Sequence, residues 1–80
     1  MTSTSLRVPA DFGLALQQAR LARGMTQADL AGEVDVPQST ISEIEAGKST
    51  IFMRRLLDLM QATGVELTAT WEDEADAPRR

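Results

Sequence analysis

The chain contains no cysteine, no histidine and no tyrosine. Without cysteine, neither a disulfide nor a thiolate metal site can supply stability or chemistry. Without histidine the commonest general base is missing, and no catalytic residue can be assigned. Aromatics are scarce as well, with two Phe and one Trp in 80 residues. No apolar run approaches the ~20 residues of a membrane span, and the opening MTSTSLRVP lacks a basic-then-apolar signal pattern. The expectation is a soluble cytoplasmic protein of one domain, near the size at which a single core barely suffices. No cofactor, metal, membrane or small-molecule substrate is expected. The run Glu72-Asp73-Glu74 has no loop that would place further oxygens around an ion.

Basic residues are in deficit too. Eight Lys and Arg against twelve Asp and Glu give a formal net charge of −4, whereas nucleic-acid binders usually carry a basic footprint. Six of the twelve carboxylates (Asp58, Glu66, Glu72, Asp73, Glu74, Asp76) lie towards the C-terminus. Arg7, Arg20, Arg23 and Lys48 flank the stretch before them.

That stretch, residues 26–47, reads TQADLAGEVDVPQSTISEIEAG. Thr26 is a good N-cap, and Asp29 three residues later can complete a capping box. Leu30, Ala31 and Val34 then form the inward stripe of a short helix. Asp35-Val36-Pro37 breaks it, and Pro37 can open the next helix at its first position. In that helix Ile41 and Ile44 point inward, and Gln38, Ser39, Thr40 and Glu43 outward. Gly47 supplies a left-handed stop. Two short helices around a tight turn, the second led by small polar side chains, describe a helix-turn-helix.

Around it, residues 1–8 read as a flexible arm. The first helix is expected from Pro9 to Gly24, with Phe12, Leu16, Ala19, Arg20 and Arg23 facing in. An inward arginine needs a partner, and Glu45 on the Ile41/Ile44 side is the candidate for Arg20. Helix 4 is expected over 51–63, capped by Ser49 or Thr50 and ended by Gly64. Its apolar residues spread too widely for one stripe, so one face is assigned to another chain. Residues 65–72 alternate, with Val65, Leu67, Ala69 and Trp71 on one side, the pattern of a half-buried strand. A lone strand has no ladder, and residues 6–8 are the only other candidate within the chain. Pairing with a second copy is the simpler solution. Residues 73–80 read as a disordered acidic tail.

In TQADLA, VPQSTIS and IEAGK the chain resembles the XRE-type, lambda-repressor-like family over residues 9–63. The further run of helix 4 and one alternating strand looks like the HipB-type antitoxins of toxin–antitoxin operons. The resemblance implies a mostly α fold: four to five helices over residues 9–64, with one C-terminal strand pairing across a homodimer. The dimer interface then takes Phe52, Leu56, Val65, Leu67, Ala69 and Trp71. It further implies a nucleoid-associated repressor of its own operon that binds a palindromic double-stranded operator and restrains a HipA-like kinase toxin. The family pairs an arginine at the position of Arg20 with a glutamate at that of Glu45, a structural ion pair. Asp35 stands where the family usually has glycine, so it must tolerate a positive φ.

Base contacts are expected from Gln38, Ser39, Thr40 and Glu43. The Gln38 amide suits adenine N6 and N7, and a carboxylate at Glu43 suits cytosine N4. Gln27 matches the family's phosphate-clamping glutamine. Thr26, Ser42, Lys48 and Arg23 are further candidates for phosphate, with Arg54. Two other readings stay open. One is a phage-type or restriction-modification controller. The other, favoured by the acidity, is a protein-interaction module that kept the fold and lost DNA affinity.

Overall fold

A computed structural model describes residues 1–73. Two short strands and four helices follow in the order β1 (Thr2–Ser5), α1 (Pro9–Ala22), α2 (Gln27–Val34), α3 (Gln38–Glu45), α4 (Ile51–Ala62) and β2 (Thr68–Trp71). The chain is mostly helical, as expected. The disordered acidic tail expected over residues 73–80 lies outside the described residues from residue 74 onward, whereas Asp73 is held in place, accepting from the Thr2 hydroxyl at 2.8 Å.

Local sequence accounts for most helix ends. Pro9 opens α1 at its first turn, and the Asp11 carboxylate accepts the Arg7 and Val8 N–H groups at 2.8 and 3.1 Å. Thr26 and Asp29 form the reciprocal box at the start of α2: the Asp29 N–H donates to Thr26 Oγ1 at 3.0 Å and the Thr26 N–H to Asp29 Oδ2 at 2.9 Å. Thr50 caps α4 by accepting the Met53 N–H at 3.1 Å. Pro37 sits one place earlier than expected, as the N-cap of α3 with extended backbone (φ −61°, ψ 146°). Asp35 ends α2 in the left-handed region at φ 57°, ψ 52°, the conformation that its place in the turn demands.

The core is small. Ala15, Met25, Ala31, Ile41 and Leu57 are its buried apolar residues, joined by Arg20. Helices α1 and α2 both pack on α3. Gly13 makes the α1–α3 approach possible, because a Cβ there would collide with the Ile44 carbonyl and stand 2.8 Å from that of Glu45.

Several inward assignments need correction. Val34 is 56 % exposed and Ile44 40 %, and Arg23 is exposed. Each lies at or near the end of a short helix, where the neighbouring helix no longer covers its side chain. On α4, Leu57 is buried, whereas Phe52 is 78 % exposed and Leu59 64 %. A second apolar face is therefore present, and nothing within the described residues covers it.

The larger correction concerns the strand. β2 begins at Thr68, later than residue 65, and finds its ladder in the same chain. β1 pairs antiparallel with it, Thr2 opposite Trp71 and Ser5 opposite Thr68. Residues 2–5, expected to be part of a mobile arm, form this partner strand. The Leu6 N–H extends the pairing to the Leu67 carbonyl at 2.9 Å. The physical reason is that an antiparallel partner satisfies the backbone groups of β2 without a second copy. Leu67, Ala69 and Trp71 are half-buried and Thr68 and Thr70 exposed, so the alternation holds from residue 67 to 71, whereas Val65, expected on the inward side, is 48 % exposed before the ladder begins.

Candidate nucleic-acid interface

Gln27 and Gln38 are the first residues of α2 and α3. Helix N-termini carry free N–H groups and a partial positive charge, which suits phosphate without any basic side chain.

Behind these two helix starts lies the buried ion pair. Arg20 Nε donates to Glu45 Oε2 at 2.6 Å and Nη2 to Oε1 at 2.9 Å, with the side chains 7 % and 3 % exposed. Nη1 donates to the Met25 carbonyl at 2.7 Å. Such a two-point contact satisfies the planar guanidinium and compensates its desolvation. The hydrogen bond from Arg20 holds the Glu45 carboxyl below its ordinary range, against burial, which pushes it up. The same bond raises Arg20 above its ordinary value.

The pair also reaches outward. Gln27 Nε2 donates to Glu45 Oε1 at 3.1 Å, which turns Gln27 Oε1 towards the solvent side. Gln38 Nε2 stands 3.5 Å from that oxygen, at the outer limit of a hydrogen bond. A chain of contacts thus runs from Arg20 through Glu45 and Gln27 to the exposed Gln38. Helical spacing and the family resemblance together point to the Arg20–Glu45 pair, whereas the resemblance alone points to Gln27. Neither revealed that Gln27 leans on Glu45, because that contact joins two helices.

The remaining candidates divide. Ser39, Ser42 and Glu43 are exposed along α3, and Thr40 is half-buried. Glu43 Oε2 is held by Lys48 Nζ at 3.2 Å, with both side chains more than half exposed. An exposed pair of this kind contributes little stability, and it leaves both ends free to exchange for a base or a phosphate. Thr26 Oγ1 already accepts from the Asp29 N–H, so its hydroxyl hydrogen is what remains to donate. Arg23 and Arg54 are exposed on α1's C-cap and in the first turn of α4. One brace was not anticipated: Gln61 Nε2 donates to the Arg7 carbonyl at 2.8 Å and ties α4 to the segment after β1. No local signal announces it.

Among the described residues, no helix is long and apolar enough to cross a membrane.

A family model described as helix-turn-helix matches residues 16–69. The chain is 31 % identical to an uncharacterized HTH-type transcriptional regulator, y4mF, of Sinorhizobium fredii, over 78 % of this chain and 82 % of that protein. It is 36 % identical to multiprotein-bridging factor 1c of Arabidopsis thaliana, over 76 % of this chain and 41 % of that protein. It is 33 % identical to an endothelial differentiation-related factor 1 homolog of Gallus gallus, again over 76 % and 41 %. The chain thus spans about two fifths of the length of these two eukaryotic relatives. No solved structure gives a significant match.

Proposed function

The chain belongs to the helix-turn-helix family, and on that footing we propose that it is a sequence-specific repressor binding a palindromic operator as a homodimer. The observation that carries this reading is the mounting of Gln38. It stands exposed at the N-terminus of α3, with Gln27 behind it and a buried ion pair behind Gln27. A base-reading side chain gains specificity when its supports are held, and bidentate binding of adenine N6 and N7 is the chemistry an amide offers there. Gln27, Thr26, Ser42, Lys48 and Arg23 hold phosphate in this reading, and Ser39, Thr40 and Glu43 border the bases.

Within it, the antitoxin role is preferred: autoregulation of a HipBA-type operon and restraint of a kinase toxin. Its support is the succession of helix-turn-helix, α4 and a C-terminal strand. A phage-type or restriction-modification controller would use the same DNA-binding surface. The dimer draws support from the apolar face of α4, where Phe52 is 78 % exposed and Leu59 64 %, with Leu56 at 37 % beside them.

A second reading, a protein-bridging module, is favoured by the net charge of −4 and by the name multiprotein-bridging factor carried by some relatives. One titration separates the two. Binding to the DNA upstream of the gene is measured against salt. The repressor reading expects affinity to fall steeply as salt rises, the mark of counterion release, and a preference over scrambled DNA that Gln38→Ala relaxes. Equal, weak binding to all sequences would favour the bridging module. The presence of a kinase-like gene beside this one bears on the antitoxin role alone.

A further inference from the structure

Where the end of α4 meets the small sheet, the chain encloses part of a cavity of about 280 Å³. Its apolar lining is Leu57, which is buried, with Met60 and Leu67, which are half-buried. Gly64, at φ 77°, turns the chain out of α4, so that the segment before β2 forms another wall. Two bonds hold the walls together. Gln61 Nε2 donates to the Arg7 carbonyl at 2.8 Å, and the Leu6 N–H donates to the Leu67 carbonyl at 2.9 Å.

The cavity sits in a fork of the ladder. The register that sets Thr2 opposite Trp71 continues through Leu6 and Leu67. One step further it would set Arg7 opposite Glu66, where a cross-strand ion pair ordinarily adds to a sheet. The strands part instead, with the Arg7 carbonyl turned to Gln61. Arg7 and Glu66 both line the cavity, and both are exposed. Neither side chain has a partner among the described residues. The carbonyl end of α4 adds to the negative side, because its last turn carries no basic residue and helix C-termini favour cations.

A complementary ligand carries an ammonium and a carboxylate close together, with a short apolar side chain beside them. Its carboxylate takes the Arg7 guanidinium, whose planar fork suits two-point contact. Its ammonium takes Glu66 and the end of α4, and its side chain covers Leu57, Met60 and Leu67. The volume lies just under the roughly 300 Å³ at which small-molecule clefts begin, which suits an amino acid and is too small for a nucleotide.

We infer that this fork is a binding site for a small aliphatic α-amino acid, held between Arg7 and Glu66. The site uses none of the side chains assigned to DNA, and it stands or falls apart from the repressor reading. A bound molecule joins the segment after β1 to the segment before β2 at the point where the ladder opens.

The test is isothermal titration calorimetry on the full chain with L-leucine as the probe. Isoamylamine lacks its carboxylate and isocaproate lacks its ammonium. Saturable binding of one L-leucine per chain is expected, with a thermal midpoint that rises with its concentration. Each analogue is expected to bind at least about tenfold more weakly, the loss of one charge-assisted contact. Because both residues are exposed, Arg7→Gln and Glu66→Gln should melt as the parent does. Each is expected to weaken L-leucine by about tenfold as well. Arg7→Gln should leave isoamylamine binding unchanged, and Glu66→Gln should leave isocaproate binding unchanged, which assigns each end of the ligand. No saturable L-leucine binding by the parent chain, analogues as tight as L-leucine, or parental L-leucine affinity in either variant would each overturn the site.

Discussion

Arg20 and Glu45, twenty-five positions apart, meet in a two-point ion pair at 2.6 and 2.9 Å with almost no exposure to solvent. Removing one partner strands the other as a buried charge. Arg20→Met is therefore expected to cost about 3–5 kcal/mol, near the whole stability of a domain this small, and to abolish the cooperative melt followed by circular dichroism. Adding Glu45→Leu removes the stranded charge and is expected to restore folding. The double variant would still bind DNA poorly, because Gln27 loses its acceptor. A folded single variant with the parental melting curve would show the pair to be dispensable.

Acid should weaken the fold through the same residue. The folded-state pKa of Glu45 lies below its ordinary value of 4.5 because Arg20 hydrogen-bonds the charged form. A lowered folded-state pKa contributes stability that is fully present above the unfolded value and is lost as pH falls through the folded one. Thermal midpoints are expected to be level near neutrality and to drop in the acid range below 4.5. Arg20→Met/Glu45→Leu should show a shallower drop over the same range. Equal slopes would assign the acid sensitivity to other carboxylates.

The two glutamines should separate in binding assays. Gln38→Ala is expected to cost about 1–3 kcal/mol on the preferred operator and to relax the preference at one base pair per half-site. Gln27→Ala is expected to weaken all sequences, with a further loss of discrimination because Gln38 leans on it at 3.5 Å. Base-by-base operator variants in a fluorescence anisotropy titration check both. Parental binding by both variants would place the DNA face elsewhere.

What the sequence reading reached and missed follows the range of the interactions involved. Thr26 with Asp29, Pro9, Thr50 and the stops at Gly24, Gly47 and Gly64 act within a few residues, so each helix could be placed closely. Asp35 stands where the resembling family usually has glycine, and it takes a positive φ that glycine would adopt freely. β1 was missed because TSTS has no apolar alternation and its partner lies at the far end of the chain. Val34 and Ile44 were placed inward because periodicity specifies a face but not where the neighbouring helix stops covering it.

Gly13 reverses an ordinary rule. Inside an exposed helix, Gly→Ala usually gains about 1 kcal/mol. Here the added methyl would meet the Ile44 carbonyl and the backbone of Glu45, which cannot rotate aside as a side chain could. Gly13→Ala is expected to destabilise by about 1–3 kcal/mol in urea unfolding. A gain in stability would mean that α1 and α3 can part without cost.

Asp35→Gly should do the opposite. A residue other than glycine at φ 57° carries a steric cost, lessened but not removed for Asp. The change is expected to raise stability by about 0.5–1 kcal/mol, and Asp35→Val to lower it by more. A thermal melt of each variant decides it.

The small sheet joins the two ends of the described chain. Contacts so distant in sequence form late, because a long loop must close before they return any energy. The helices, whose contacts are mostly local, can assemble first, and the ladder can open again without unfolding them. Amide hydrogens in Thr68–Trp71 should therefore exchange with solvent much faster than those of α1 and α3. A partner that captures either strand would act on the sheet while the four helices remain folded.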